Sequence, residues 1–373
     1  GEEKALAILE TNVERTLDSG DQPSPQSILC LASYKPLYQY KWISLLQVID
    51  VIEDVFTRQV IEPNKEADLK TSLSSLDEIT DSVSSRVRQQ YEASPYPRWI
   101  NTSLHPKPKS ILAVINNQKL KLFDDRIKKV DSPHILIAGC GTGQHSIQTA
   151  SRFEDSRVLA IDLSLSSLAY AKRKTEESGI QNIEYIQADI LHLGMYKERF
   201  DIVESIGVLH HLDCPFTGWS LLTDCLKSGG LMRIGLYSEL ARQPVVKIRR
   251  EIMKEGIGSS DDAIKLFRGV AISSDQEHYQ QIKRSNDFYS LSSFRDLLFH
   301  VQEHRFTIPQ INNCLGELGL RFCGFDTTSI VQDFKRFNMD LNDPYDLDSW
   351  HAYEKANPSA FAGMYQFWCQ KIG

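Results

Sequence analysis

The sequence predicts an α/β protein: a doubly wound, mostly parallel sheet with an antiparallel end, an N-terminal helical segment and a helical insertion. Two observations predict it. From residue 131 onward short apolar runs alternate with amphipathic stretches, as in βαβ units covered on both faces. Between the first of these runs and the stretch after it stands a glycine-rich loop, "ILIAGCGTGQHS".

Taken in order, residues 1–60 carry apolar residues at three- and four-residue spacing in "ALAILETNVERTL" and "WISLLQVIDVIEDVF", so two helices are expected, separated by the breaker "SGDQPSP". The polar stretch "SLSSLDEITDSVSSRVRQQ" is a capped helix or a linker. "QYEASPYPRW" follows at 90–99, and Pro95 and Pro97 make it a stiff, irregular strap. Strands are expected at 134–139, 157–162, 183–189, 200–206 and 231–237, with helices between them. Residues 240–310 break the rhythm with long polar helices, and 320–326 and 364–372 return as strands that close the sheet. This divides the chain into a helical segment, 1–85, and a larger domain, 86–373.

The 373 residues, 41% of them hydrophobic, suffice for one large core and a smaller unit. A net charge of −7 disfavours nucleic acid as the main partner, because neutralising phosphates takes a basic face. Seven cysteines without a C-x-x-C pair fit neither a disulfide framework nor a zinc ribbon, and point to a reducing, cytoplasmic setting. No apolar run is long enough for a membrane span. The chain opens with Gly1 rather than Met, as a segment cut from a longer polypeptide would.

Gly139, Gly141 and Gly143 alternate after the first strand, and Asp162 closes the next strand, nineteen residues beyond Gly143. Doubly wound nucleotide-binding folds place there the acid that accepts ribose hydroxyls. The third glycine comes one residue early for a dinucleotide loop, and Gln144 stands where a further glycine is expected, so an uncharged group is the better fit beside this loop. Asp189, after the third strand, offers an acceptor for an adenine amino group.

In combination these residues resemble class I S-adenosylmethionine-dependent methyltransferases, whose fold is Rossmann-like. "ILIAGCGTG", "AID", "QADI", "FDIVESIGVLHHL" and "CLKSGGLMRIG" match that family's successive motifs over about 110 residues. The resemblance implies S-adenosyl-L-methionine as cofactor, with Gly139, Cys140, Gly141, Gly143 and Gln144 at its amino-acid part. It further implies Asp162 at the ribose and Asp189 at the adenine, with Leu163, Ile190 and Gly207 also at the cofactor. Ala138 departs from the pattern, since many members carry an acid there, so the amino group is met from elsewhere. More narrowly, "RVRQQYEASPYPRW", "GLYSELAR", "RDLLFHVQEHRFT" and "FAGMYQFW" resemble a bacterial subgroup whose domain often follows tetratricopeptide repeats. Some of its relatives methylate protein lysines; no such repeat is visible in these residues.

In such a fold the strap lies across the mouth of the cofactor site. Tyr91, Tyr96 and Trp99 then cover the cofactor and shape the substrate hole, while Arg98 holds a carboxylate; the competing reading is that Trp99 and Tyr96 only pack. Methyl transfer is an in-line displacement that needs an aligned, deprotonated nucleophile and no metal. One of His210 and His211, or Glu204, is the candidate base, and Tyr237 a candidate substrate contact. "HVQEH" at 300–304 matches H-x-x-E-H of certain zinc peptidases. His300 and His304 fit better as substrate contacts on an inserted helix over the site. "KIRREIMK" at 247–254 docks an acidic partner or, more simply, is a solvated helix face. The expected activity is methyl transfer to nitrogen, first of a protein side chain. A small metabolite's nitrogen or oxygen, or a binding module without turnover, are the alternatives.

Overall fold

The computed structural model describes residues 1–326, 328–337 and 343–373. Its residues form two compact units, Gly1–Ser72 and Leu73–Gly373. The first contains helices α1 (Glu2–Asp18), α2 (Pro25–Tyr34) and α3 (Asp50–Phe56), the last continuing through a wide turn (Thr57–Ile61) into α4 (Glu62–Ser72). Val13, Leu17, Ile28, Leu31 and Ile52 make its core. Two differences from the sequence reading have local causes. The "SGDQPSP" breaker does not prevent α2, because Ser24 caps it through the Ser27 N–H and Pro25 occupies the first turn, where its missing N–H costs nothing. The helix expected over 42–56 begins only at Asp50: the Gln47 N–H donates to Gln22 Oε1 (2.9 Å) instead of to a backbone carbonyl one turn back.

The second unit begins with a two-residue strand, β1 (Ser74–Ser75), which pairs with Ile186 and Gln187 at one edge of the sheet and so carries residues 73–85 into this unit. Next come α5 (Ser82–Ala93), capped by Asp81, and α6 (Ile111–Gln118). The alternating part follows: β2 (His134–Ala138), α7 (Gln144–Arg152), β3 (Arg157–Asp162), α8 (Leu165–Glu177), β4 (Ile183–Gln187), β5 (Phe200–Ile206), α9 (Pro215–Cys225) and β6 (Leu226–Leu236). The insertion comprises α10 (Gln243–Lys254), α11 (Asp261–Ser273), α12 (Glu277–Ile282) and α13 (Leu291–Phe299). Then α14 (Ile308–Glu317), β7 (Leu320–Phe325), α15 (Thr328–Phe337), α16 (Leu347–Ala356) and β8 (Tyr365–Lys371) complete the unit. The sheet order is β1-β4-β3-β2-β5-β6-β8-β7, parallel as far as β6 and antiparallel from there. Successive residues of β2 serve opposite faces: Ile135 and Ile137 pack with Val158 and Ala160, Leu136 and Ala138 with Val203 and Met232. A sheet buried on both sides leaves its strand ends as the place for polar groups.

The strap begins later than its composition suggests, since α5 runs to Ala93 and Tyr91 lies in its last turn. Beyond it the side chains divide. Tyr96 and Pro97 reach the cavity described below, whereas Trp99 is 9% exposed and packs on Ile147 and Tyr170. Its Nε1 donates to the Thr142 carbonyl (3.2 Å). Arg98 lies over the Tyr170 ring, 5.9 Å from its centre, away from the cavity lining. Tryptophan's large ring is bound by α7 and α8, so in this position it braces the glycine loop from behind. Trp99→Ala is therefore expected to behave as a core truncation, lowering stability by about 3–5 kcal/mol in denaturant unfolding. A loss below about 1 kcal/mol would return Trp99 to the surface role expected from the sequence.

Candidate active site

A cavity of about 270 Å³ opens at the carboxyl ends of β2, β3, β4 and β5. The glycine loop forms its floor. Gly139 has φ +76°, and a Cβ there would meet Val208 Cγ2 at 2.3 Å. Gly143 has φ +84° and serves another contact: its missing Cβ would lie 2.5 Å from Ala171 of α8, so this glycine brings two helices together outside the cavity lining. Asp162 accepts the Gly141 N–H (2.8 Å) and the Ser164 N–H (2.9 Å), which fixes the loop to the end of β3. Burial raises its proton affinity, and those backbone donors oppose the rise. Asp189 is 2% exposed; its Oδ1 accepts the Leu191 N–H (3.0 Å), but its Oδ2 has no partner among the described residues. A buried acceptor left without a donor is costly unless a ligand supplies one. Together the glycine cradle, the ribose-height carboxylate and this orphaned oxygen fit an adenosyl cofactor.

Of the residues expected at the cofactor, Tyr91, Gly139, Cys140, Gly141, Gln144, Asp162, Leu163, Asp189, Ile190 and Gly207 all line the cavity. Gly143 and Arg98 do not. Of those expected at the substrate or in catalysis, Tyr96, Tyr237 and His211 line it. Glu204 does not, being wholly buried in β5 and bonded to His145. His210 is also fully buried, with neither ring nitrogen bonded among the described residues, and lies tilted against Tyr237 with ring centres 4.1 Å apart; burial holds it neutral. Among the lining residues that were not anticipated are His145, Asp296 and Met364. Asp296 carried one weak signal, an acid among Phe294, Leu297 and Leu298 on the buried face of α13.

The segment 300–304 is not a helix. His304 N–H donates to the His210 carbonyl (2.7 Å) and Phe306 N–H to that of Tyr237 (2.9 Å), so the chain is drawn out along the end of β6. The H-x-x-E-H spacing therefore does not put two histidines on one helical face. Glu303 is buried between Arg242 (2.9 Å) and Arg249 (3.3 Å), and Arg242 covers the Tyr237 ring at 3.8 Å. Arg249 is thus turned inward from the basic run of α10, with Ile248 and Ile252 buried beside it, which a solvated face would not show. His304 sits outside the lining, its Nε2 on the Asp213 carbonyl (3.1 Å).

His300 also lies behind the lining, stacked on His211 with ring centres 3.6 Å apart. Its Nδ1 faces the Gln302 N–H (3.2 Å) and its Nε2 the Tyr91 hydroxyl (3.1 Å), and that hydroxyl donates to Asp296 Oδ1 (2.6 Å). His211 Nδ1 donates to the Gln302 carbonyl (2.6 Å), leaving Nε2 as the lone-pair nitrogen. Burial, then the neighbouring ring, pushes His211 down to about 3, and burial with Arg249 pushes His300 down to about 4. The unfolded chain binds protons on these rings below about 6.5, while the folded one does not. Their contribution is therefore complete above that pH and is lost as pH falls toward the folded values. Urea unfolding should show stability dropping between pH 6.5 and 4 by up to about 1.4 kcal/mol per pH unit for each ring, and His211→Asn should flatten the slope. An unchanged slope in that variant would contradict the neutral, buried state.

Residues 135–230 match the methyltransferase domain family. An uncharacterized protein of Synechococcus sp. is 26% identical over 287 residues, covering 74% of this chain and 68% of its own length. The tRNA U34 carboxymethyltransferase of Desulfotalea psychrophila is 29% identical over 129 residues, covering 35% of this chain and 40% of that enzyme. In fold, the chain is like PKMT2 from Rickettsia typhi, solved in complex with AdoHcy: TM-score 0.52 and 16% identity, over 74% of this chain and 54% of that one. The chain thus spans under half of the carboxymethyltransferase and about half of PKMT2. No described helix is long and apolar enough to cross a membrane. Residues 135–230, which supply the glycine loop, Asp162 and Asp189 to the cavity, are thus an S-adenosylmethionine-dependent methyltransferase domain.

Proposed function

We propose that the methyl acceptor is an amine nitrogen, first of all the side-chain amine of a protein lysine. The observation that carries this is Asp296. It is 6% exposed, lines the cavity across from the glycine loop, and spends only Oδ1 on Tyr91; its Oδ2 makes no hydrogen bond among the described residues. Tyr91, Tyr96 and Tyr237 line the cavity with it. A carboxylate among aromatic rings attracts an ammonium group and has nothing to offer an anion. Val208, Leu212 and Met364 give the same cavity an apolar side that suits the methylene stem of lysine. An RNA acceptor is disfavoured by this acidic lining and by the net charge of −7.

When bound, S-adenosylmethionine supplies a methyl carbon activated by its sulfonium. Asp162 and Asp189 would hold its ribose and adenine, and the glycine loop its amino-acid end. An ammonium must lose a proton before its nitrogen has a lone pair. Burial raises the proton affinity of Asp296, so this carboxylate is suited to take that proton at Oδ2. The Tyr91 hydroxyl fixes Oδ1, and His300 fixes Tyr91 in turn. Arg242, clamped by Glu303, holds the Tyr237 ring against the site. The Tyr96 hydroxyl donates to Asp287 (3.0 Å) and closes the strap over the cavity.

Asp296→Asn should lower turnover by about 10²-fold or more and leave S-adenosylhomocysteine affinity nearly unchanged. The acceptor itself is found by incubating the protein with radiolabelled cofactor in lysate from cells that lack it. Base-stable label in a protein band supports the lysine reading. Label confined to the small-molecule fraction refutes a protein acceptor, and base-labile label refutes nitrogen.

A further inference from the structure

Gly139, Cys140, Gly141 and Gln144 line the cavity as expected for the amino-acid end of the cofactor, but the charged partner looked for there does not. Ala138 is apolar and fully buried, and Arg98 lies over Tyr170 outside the cavity. Beside the glycine loop the wall instead presents His145, in the first turn of α7, with 22% of its side chain exposed. Its Nε2 is bonded to Glu204 Oε2. A carboxylate only accepts, so Nε2 carries the hydrogen, and Nδ1 is the polar atom His145 has left; it makes no hydrogen bond among the described residues.

Glu204 is built to hold this ring. It lies in the middle of the sheet, in register with Ile137 of β2 and Arg233 of β6, and is 0% exposed. The Thr149 hydroxyl donates to its Oε2 (2.9 Å); Arg233 Nη1 is 3.8 Å from Oε2 and Arg152 Nη1 is 4.0 Å from Oε1. Burial works to raise its proton affinity, but the charge and hydrogen bond of His145, then Arg233 and Arg152, outweigh it and hold the carboxyl below its ordinary range. Arg233 also pairs with Asp326. Two guanidiniums therefore face two carboxylates, and a protonated His145 adds one positive charge that nothing in this group balances. Backbone N–H groups at the start of α7 add to the positive potential on the same side.

We propose that His145, held in place by Glu204, binds the carboxylate at the amino-acid end of the cofactor as an imidazolium, with Nε2–H donating to Glu204 and Nδ1–H to that carboxylate. Glu204, expected from the sequence as a base, is in this reading a positioning residue one strand away from where Ala138 fails to provide an acid. The inference concerns the cofactor half of the cavity and stands apart from the acceptor proposal.

Calorimetric titration with three ligands separates the parts: S-adenosylhomocysteine, its decarboxylated analogue, and 5′-methylthioadenosine, which lacks the amino-acid end altogether. The native protein should prefer S-adenosylhomocysteine over the decarboxylated analogue. In His145→Ala that preference should vanish, with S-adenosylhomocysteine weakened about tenfold or more and the other two within about twofold of native. His145→Gln, which keeps a neutral donor, should recover part of the loss. Glu204→Gln, checked for folding by circular dichroism, should lower the same preference while methylthioadenosine binding stays, an effect that a merely structural role would not produce. The proposal fails if His145→Ala binds S-adenosylhomocysteine as tightly as the native protein, or weakens all three ligands equally. Equal loss of S-adenosylhomocysteine and the decarboxylated analogue would also overturn it, by placing the ammonium at His145.

Discussion

Asp162 ties the site to the fold. One carboxylate takes the Gly141 N–H from the loop after β2 and the Ser164 N–H that begins the helix after β3, and thereby holds two strand ends at a set distance. Two charge-assisted hydrogen bonds of this kind pre-shape a loop whose glycines sit at positive φ, where few other residues would rest. Trp99 and Gly143 support the arrangement from outside, the one on the Thr142 carbonyl and the other against α8. The cofactor half of the cavity is thus formed by the same contacts that close the βαβ units.

The side of the cavity formed by the insertion is held by different means. Here the constraint is the Glu303 carboxylate, buried between two arginines of the α10 region. Removing one member of such a group leaves an uncompensated buried charge, so Arg242, Arg249 and Glu303 stand or fall together. Through them Tyr237 is pinned, and through the backbone bonds of His304 and Phe306 the inserted chain is laid along β6. Tyr91, His300 and Asp296 then form one hydrogen-bonded line that ends on a carboxylate residue of the cavity lining.

Much of this was legible in the sequence. The five strands of the alternating part announce themselves as apolar runs because both sheet faces are covered, and the loop and its acids follow from their spacing. What escaped the sequence depended on partners far along the chain. Glu204 looked like a base at a strand end until His145, 59 residues earlier, and two arginines were seen around it. Asp296 looked like one polar residue on a polar helix, and only Tyr91, 205 residues away, shows which way its carboxylate faces. The 300–304 segment read as helix because periodicity does not register a backbone donor captured by a neighbouring strand. The two-residue β1 is too short to carry a pattern at all.

Helices α10 to α13 have an apolar core of their own, built on Ile248, Ile264, Phe267 and Phe294 and separate from the two clusters that flank the sheet. A substitution within that core is felt first by the insertion and only afterwards by the strands. Asp296, His300 and the arginine clamp all belong to this segment or adjoin it, whereas the groups that fit the adenosyl moiety belong to strand ends. The two halves of the cavity therefore answer to different packing constraints. The groups around the glycine loop are bound to the packing that makes the sheet, whereas Asp296 and the arginine clamp rest on a separate core whose repacking leaves the sheet beneath as it is.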